Sequence, residues 1–227
     1  LWLFFKLMPP KNISNVGVML NQPQSVGGNV QNKGFFVCIE GLDKSGKTTQ
    51  ARLLVERLNR LGFRVSYTTE PSRGEVGQFI RMCVLRGRRR IPAVMEAILF
   101  AIDRLDHAER EIKPMLREKM VVVSDRYVYS SLAYQGADGL DLRWINEVNK
   151  FSPVPDLAIY LDVPLEVLAG RIKGDRSVME TLQIQKRVLS IYMKLIHEGR
   201  LILVDGNRPV EEVSRSILNL VLNRLGR

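Results

Sequence analysis

The stretch Phe35–Thr49, FFVCIEGLDKSGKTT, decides the fold: a β-prone apolar run from Phe35 to Ile39 stops in a loop bounded by glycine and carrying lysine and threonine. Gly41, Gly46, Lys47 and Thr48 satisfy G-x-x-x-x-G-K-[ST]. In that pattern the glycines let backbone N–H groups turn inward on a phosphate chain, the lysine adds a point charge, and the Thr48 hydroxyl can ligate Mg²⁺. Only four positions are fixed, so the weight comes from context: a strand must precede the loop and a helix must follow it. After Thr48, Leu54, Leu58 and Leu61 recur at helical spacing, and Gly62 closes the run as a C-cap. A Gly-rich turn with a surface lysine, the alternative, leaves that context unexplained.

Outward from this loop, strands and helices alternate. FRVSYTT (63–69) reads as a strand ending at Glu70-Pro71, followed by the loop EPSRG. Val76, Phe79, Ile80, Cys83 and Val84 form the apolar stripe of an amphipathic helix. RGRRR (86–90) reads as a short solvated turn, with nucleic-acid contact as the other reading. Pro92 opens a helix running to about Lys113, with Ala97, Leu99, Phe100 and Leu105 facing inward and Pro114 ending or kinking it. Phe100 and Arg104 share one face of it; core packing and a surface charge are their plain readings. MVVVS (120–124) suits a buried parallel strand and ends in Asp125, where nucleotide enzymes place a Mg²⁺-directed carboxylate, although a helix N-cap would look the same. Ser130/Tyr134 and Ser131/Gln135 pair one helical turn apart and point either into a cleft or to solvent.

Further on, a helix is expected around Leu142 to Phe151, LAIYLDV (157–163) is a fourth strand, and Pro164 opens a helix to about Ile172. Residues 171–180, RIKGDRSVME, read as a mobile cationic flap or as an exposed helix connection. A helix over 180–198, a fifth strand at Leu201 to Val204 and a closing helix striped by Val210, Val213, Ile217, Leu220, Val221 and Leu225 complete the pattern. Five strands alternating with helices imply an α/β fold: a five-stranded parallel sheet with helices on both faces and a short flexible lid.

Composition bounds the partners. At 227 residues, 45% hydrophobic and 26% charged, the chain reads as one globular domain over 34–227. No apolar stretch approaches the roughly 18 residues of a membrane span. The excess of 34 Lys and Arg over 24 Asp and Glu, +10, favours anionic partners without choosing among them. Cys38 and Cys83 sit in apolar periodic segments and read as buried small hydrophobes in a reducing cytoplasm. Residues 1–33 read as a flexible leader, or as residues ahead of a true start at Met8 or Met19, and not as a signal peptide.

The order GLDKSGKTT, EPSRG, ILFAIDR, SDRYVYSSLAYQG, basic lid and final VDG resembles the thymidylate kinases of the nucleoside-monophosphate kinase family, over roughly residues 34–224. That resemblance implies a P-loop nucleotide kinase that transfers a phosphoryl group from ATP to thymidylate (dTMP) with Mg²⁺. It implies that Gly41, Leu42, Asp43, Lys44, Ser45, Gly46, Lys47, Thr48, Thr49 and Arg171 meet ATP, and that Thr48 and Asp125 hold Mg²⁺, partly through water. It further implies that Phe100 stacks on thymine and Arg104 bonds a base carbonyl, while Arg126, Arg73 and Arg81 hold the acceptor phosphate. Ser130, Ser131, Tyr134 and Gln135 would line a pocket without room for a ribose 2′-hydroxyl, and Asp43 would face the sugar 3′-hydroxyl. Lys47, Arg176, Lys44, Arg126 and Asp43 are the expected catalytic set. The acceptor is already an anion and needs no general base, consistent with His107 and His197 lying outside every motif.

Two departures stand out: Lys44 occupies the loop while the lid also carries Arg171 and Arg176, and Ser72-Arg73 replaces a glycine pair common after Glu-Pro. Arg176, assisted by Lys44, is the expected transition-state cation. A homodimer is expected, and nucleic acid is not. The rivals are another nucleotide or deoxynucleoside kinase and, from a different class, a nucleic-acid-binding P-loop ATPase. A regulatory GTPase would need Asn-Lys-x-Asp, which neither Asn32-Lys33 nor Asn149-Lys150 continues.

Overall fold

A computed structural model describes residues 33–85, 91–171 and 177–227. The leader over residues 1–32, the basic run 86–90 and the lid residues 172–176, Lys173 and Arg176 among them, lie outside the described residues.

Five strands form one parallel sheet in the order β2-β3-β1-β4-β5: β1 Phe35–Gly41, β2 Val65–Thr69, β3 Val121–Asp125, β4 Leu157–Asp162 and β5 Ile202–Asp205. β1 is buried along its whole length, as a central parallel strand covered on both faces must be. Its alternation sorts the core into two layers. Phe35, Val37 and Ile39 face α1 (Lys47–Arg60) and α9 (Val210–Arg224) through Leu54, Leu58, Ile217 and Val221. Phe36 and Cys38 face the other way, toward α5 (Val128–Ala137) and α8 (Ser177–His197), where Leu132, Val188, Tyr192 and Leu195 complete the layer. Each fully buried leucine or isoleucine here contributes about 1.5–3 kcal/mol of transfer free energy.

Between β2 and β3 the chain runs through α2 (Glu75–Phe79), α3 (Ala93–His107) and α4 (Lys113–Arg117). α2 widens into a π-helical turn over Ile80–Leu85, and α3 into another over Ala108–Ile112 before Pro114. Pro114 has no N–H to donate, and the π turn absorbs the lost α-helical bond so that the helix continues as α4. The stripe expected for this segment is corrected: Ile80 is buried, but Phe79 at the end of α2 is exposed, and so is Cys83, which the widened turn shifts out of 3.6-residue register. Leu105, expected inside α3, is exposed as well and extends the row Val94, Ile98 and Ile102, each 40–49% exposed. α6 (Leu142–Val148), N-capped by Asp141, and α7 (Leu165–Arg171) complete the set. None of the described helices is long and apolar enough to cross a membrane.

Strand register decides where the site lies. Ile39 of β1 and Thr69 of β2 both pair with Asp125 of β3, so three strands end at one level and their following loops share one crevice. Open α/β sheets bind ligands at such carboxyl ends.

Candidate active site

The loop between β1 and α1 curls around Lys47. Gly46 sits at φ 96°, a left-handed conformation that glycine adopts without cost, and Lys44 adopts φ 67° beside it. The Lys47 ammonium donates to the carbonyl of Leu42 at 2.6 Å, inside the ring that the loop closes. Burial, then the neighbouring charge of Arg126, pulls its pKa down to about 7. A cleft beside it is lined by Asp43, Lys44, Gly46, Lys47, Thr48, Thr49, Thr69, Glu70, Asp125 and Arg126.

Asp125 stands on the floor of this cleft. Its Oδ2 accepts from Thr48 Oγ1 at 2.5 Å and from Tyr67 at 3.4 Å, while its buried Oδ1 has no hydrogen-bond partner. It does not cap α5, whose N-cap is Tyr127. A hydroxyl and a carboxylate with a spare oxygen at a phosphate-sized opening are hard donors of the kind Mg²⁺ takes alongside phosphate oxygens. Among the described residues no group of three or more His, Cys, Asp or Glu could form an all-protein metal cage.

A second cleft of about 590 Å³, its open mouth included, adjoins the first. Phe100, Arg104, Arg126, Ser130, Ser131, Tyr134 and Gln135 all line it, together with Glu70, Glu96 and Tyr127. Phe100 is half-buried and belongs to neither core layer. Arg104 is only 1% exposed: Nε and Nη2 meet Glu70 at 2.9 and 2.7 Å, Nη1 meets Asn149 at 2.5 Å, and Nη2 meets Ser131 at 3.0 Å. The surface-charge reading of Arg104 is therefore corrected by its burial against a paired carboxylate.

Arg126 joins the two clefts. Its φ of 73° swings the side chain back over the β1 end, where it meets Asp43 at 2.5 Å and Ser130 at 3.1 Å and lies over the ring of Tyr134. Burial works to raise the pKa of Asp43, but the charges of Arg126 and Lys47 hold it below the ordinary value. Arg171, at the end of α7, donates to the carbonyl of Lys44 at 2.9 Å. Lys44 itself is exposed. Arg73 and Arg81 are not among the residues lining either cleft: Arg73 is exposed, and the Arg81 guanidinium donates to the carbonyls of Pro71 and Ser72.

Several residues that sequence reasoning passed over hold this arrangement together. Glu40, fully buried at the end of β1, accepts from the N–H groups of Tyr127 and Ser130, the Ser130 hydroxyl and Tyr192. It caps α5 from another element, and burial raises its carboxyl pKa. Asp103 receives both the N–H and the hydroxyl of Ser72 at 2.7 and 2.6 Å, pinning the loop after Glu70. Gly77 lets that loop approach: a Cβ there would stand 2.0 Å from the Ser72 carbonyl oxygen. Gln185 of α8 donates to Asp43 at 3.1 Å. His107 is buried against Thr68 and Glu70, a structural position, and His197 is exposed.

A parallel α/β sheet with a glycine-bounded phosphate loop on its central strand, opening into a second cleft, is the architecture of a P-loop nucleotide kinase. The family model described as thymidylate kinase matches residues 39–217, and the chain belongs to that family. Relatives agree. A Pyrococcus abyssi protein named "Probable thymidylate kinase" is 43% identical over 201 residues, 85% of this chain and 98% of the relative. Proteins of the same name from Thermococcus gammatolerans and Methanococcus aeolicus are 42% and 40% identical, covering 83% of this chain each and 96% of each relative.

Proposed function

We propose that this chain transfers the γ-phosphoryl group of ATP to dTMP, giving dTDP and ADP, as the names of its relatives suggest. One observation carries the mechanism: the phosphate-loop cleft and the deeper cleft share Asp43, Glu70 and Arg126, so a donor in one and an acceptor in the other meet at a single arginine.

In this reading the loop from Gly41 to Thr49 cradles the ATP phosphates, with Lys47 and Arg171 beside them. Thr48 and Asp125 hold Mg²⁺, which neutralises charge on the phosphate oxygens when bound. Phe100 stacks on the base, Arg104 donates to its carbonyl, and Ser130, Ser131, Tyr134 and Gln135 line the base and sugar. Arg126 steadies the acceptor phosphate, with Arg73 and Arg81 approaching if the neighbouring loop rearranges on binding. Charge spreads over the equatorial oxygens of the moving group, so catalysis is positioning plus cationic stabilisation by Lys47, Arg126, Lys44 and the lid's Arg176, with Asp43 orienting Arg126. Residues 34–227 act as one kinase domain with a lid over 171–180, in the cytoplasm. The exposed row Val94, Ile98, Ile102 and Leu105 on α3 supports a homodimer, since an aliphatic stripe of this length favours burial.

The test is ADP release with ATP and Mg²⁺ across dTMP, dUMP, CMP, UMP and thymidine. Strong preference for dTMP is expected; turnover with ribonucleotides alone would overturn the reading.

A further inference from the structure

Glu96 of α3 faces Gln135 of α5 across the wall of the acceptor cleft, and both line it. The Gln135 amide nitrogen donates to Glu96 Oε1 at 2.9 Å. An ionised carboxylate only accepts, so it selects the NH₂ side of the amide and fixes which way the group is turned. The amide oxygen is thereby turned away from Glu96. It is buried, its residue is 3% exposed, and it has no hydrogen-bond partner. A buried carbonyl left without a donor is costly, which points to a ligand N–H as its partner.

The opposite polarity stands one helical turn away. Arg104 is anchored to Ser131, four residues before Gln135 on α5, and its hydrogen bonds to Glu70, Asn149 and Ser131 use three of five N–H groups, leaving donor capacity toward the cleft that it lines. The cleft thus offers a donor at Arg104 and an acceptor at Gln135. A 4-oxo-pyrimidine presents the complement, a carbonyl beside a ring N–H. A 4-amino-pyrimidine presents an amine and a bare ring nitrogen, so each would face a group of its own kind.

We propose that Glu96 is a positioning residue that locks the Gln135 amide with its oxygen toward the ring N–H, and that this pair enforces selection of 4-oxo over 4-amino pyrimidine nucleotides. The inference rests on the reading of this cleft as the base site. In the isosteric variant Glu96→Gln, residue 96 can donate or accept, so the amide of Gln135 is free to turn over and offer its NH₂ to a ring nitrogen.

The experiment measures kcat and KM for dTMP and dCMP with wild type, Glu96→Gln and the exchanged pair Glu96→Gln/Gln135→Glu, which restores an acceptor-only group facing the base. Glu96→Gln should lower the dTMP-to-dCMP ratio of kcat/KM roughly 10- to 100-fold, mainly through KM, and the exchange should recover most of it. Because the ratio is taken within one preparation, a loss of folded protein scales both terms alike. A fall in both substrates by the same factor, with the ratio unchanged, would overturn the role of Glu96. Failure of the base-site reading looks different: wild type itself would then show no preference for dTMP.

Discussion

Replacing Glu40 by alanine tests how the β1 end organises the acceptor wall. The carboxylate takes four donors, but their losses are unequal. Ser130 Oγ and the Tyr192 hydroxyl lie 3.2 Å apart and can satisfy each other, and Ser130 N–H also reaches the Tyr127 carbonyl at 3.0 Å. The Tyr127 N–H is then the one left buried without a partner, at about 1–3 kcal/mol. The vacated side-chain volume adds to this cost, and relief from burying a carboxylate subtracts from it, so a net loss of about 2–4 kcal/mol is expected. For a domain of this size that corresponds to a fall in Tm of roughly 5–15 °C. Urea unfolding at neutral pH measures it, beside KM for dTMP, which should rise because α5 and Arg126 lose their anchor. A stability loss under about 0.5 kcal/mol, the size of an ordinary surface substitution, would refute the capping argument.

The pH dependence gives this test a second arm. Burial raises the pKa of Glu40 above its ordinary 4.5, so the folded chain holds that proton more tightly than the unfolded chain. The associated stability is fully present below the unfolded value and is lost as pH rises through the folded one. Glu40→Gln, which cannot titrate, should therefore gain on wild type as pH climbs above 4.5.

Two further predictions concern Lys47 and the outer face of α3. Burial, then the charge of Arg126, draws Lys47 down to about 7 from 10.5, so the free enzyme should hold this proton less firmly at pH 8 than the nucleotide complex, where bound phosphates favour the charged form. Calorimetry at that pH, in buffers of different ionisation enthalpy, should show net proton uptake on ATP binding, and Lys47→Met should abolish the uptake. The same depression means that the unfolded chain holds more protons between about 7 and 10.5, so this group makes stability rise with pH across that window. On the outer face of α3, Ile98→Asp with Ile102→Asp should shift sedimentation from dimer to monomer, and a wild type that sediments as a monomer would refute that surface as the interface.

What could be read from sequence was what local pattern controls. The spacing from Gly41 to Thr48, the apolar run before it and the acid ending β3 are local signals, and the pairs Ser130/Tyr134 and Ser131/Gln135 follow from helical geometry; all meet in the two clefts. Glu40, Asp103 and Gln185 could not be found that way, because their roles lie in distant partners: Gln185 and Asp43 are 142 positions apart, and Asp103 and Ser72 are 31. The burial of Arg104 was hidden for the same reason, since an arginine within an amphipathic pattern reads as surface until Glu70 and Asn149 are placed beside it. Cys83 was misplaced because periodicity assumes a constant turn and a π turn follows α2, whereas Phe79 and Leu105 lie on outward faces of regular helices, where local spacing does not say which face packs inward.

The Arg126–Asp43 contact has a thermodynamic corollary. Both residues border both clefts, so an anion that draws Arg126 toward itself on one side alters the field around Asp43 on the other. Occupancy of the two clefts cannot then be independent. Whatever factor one nucleotide imposes on the affinity of the second, the second must impose on the first, in direction and in size.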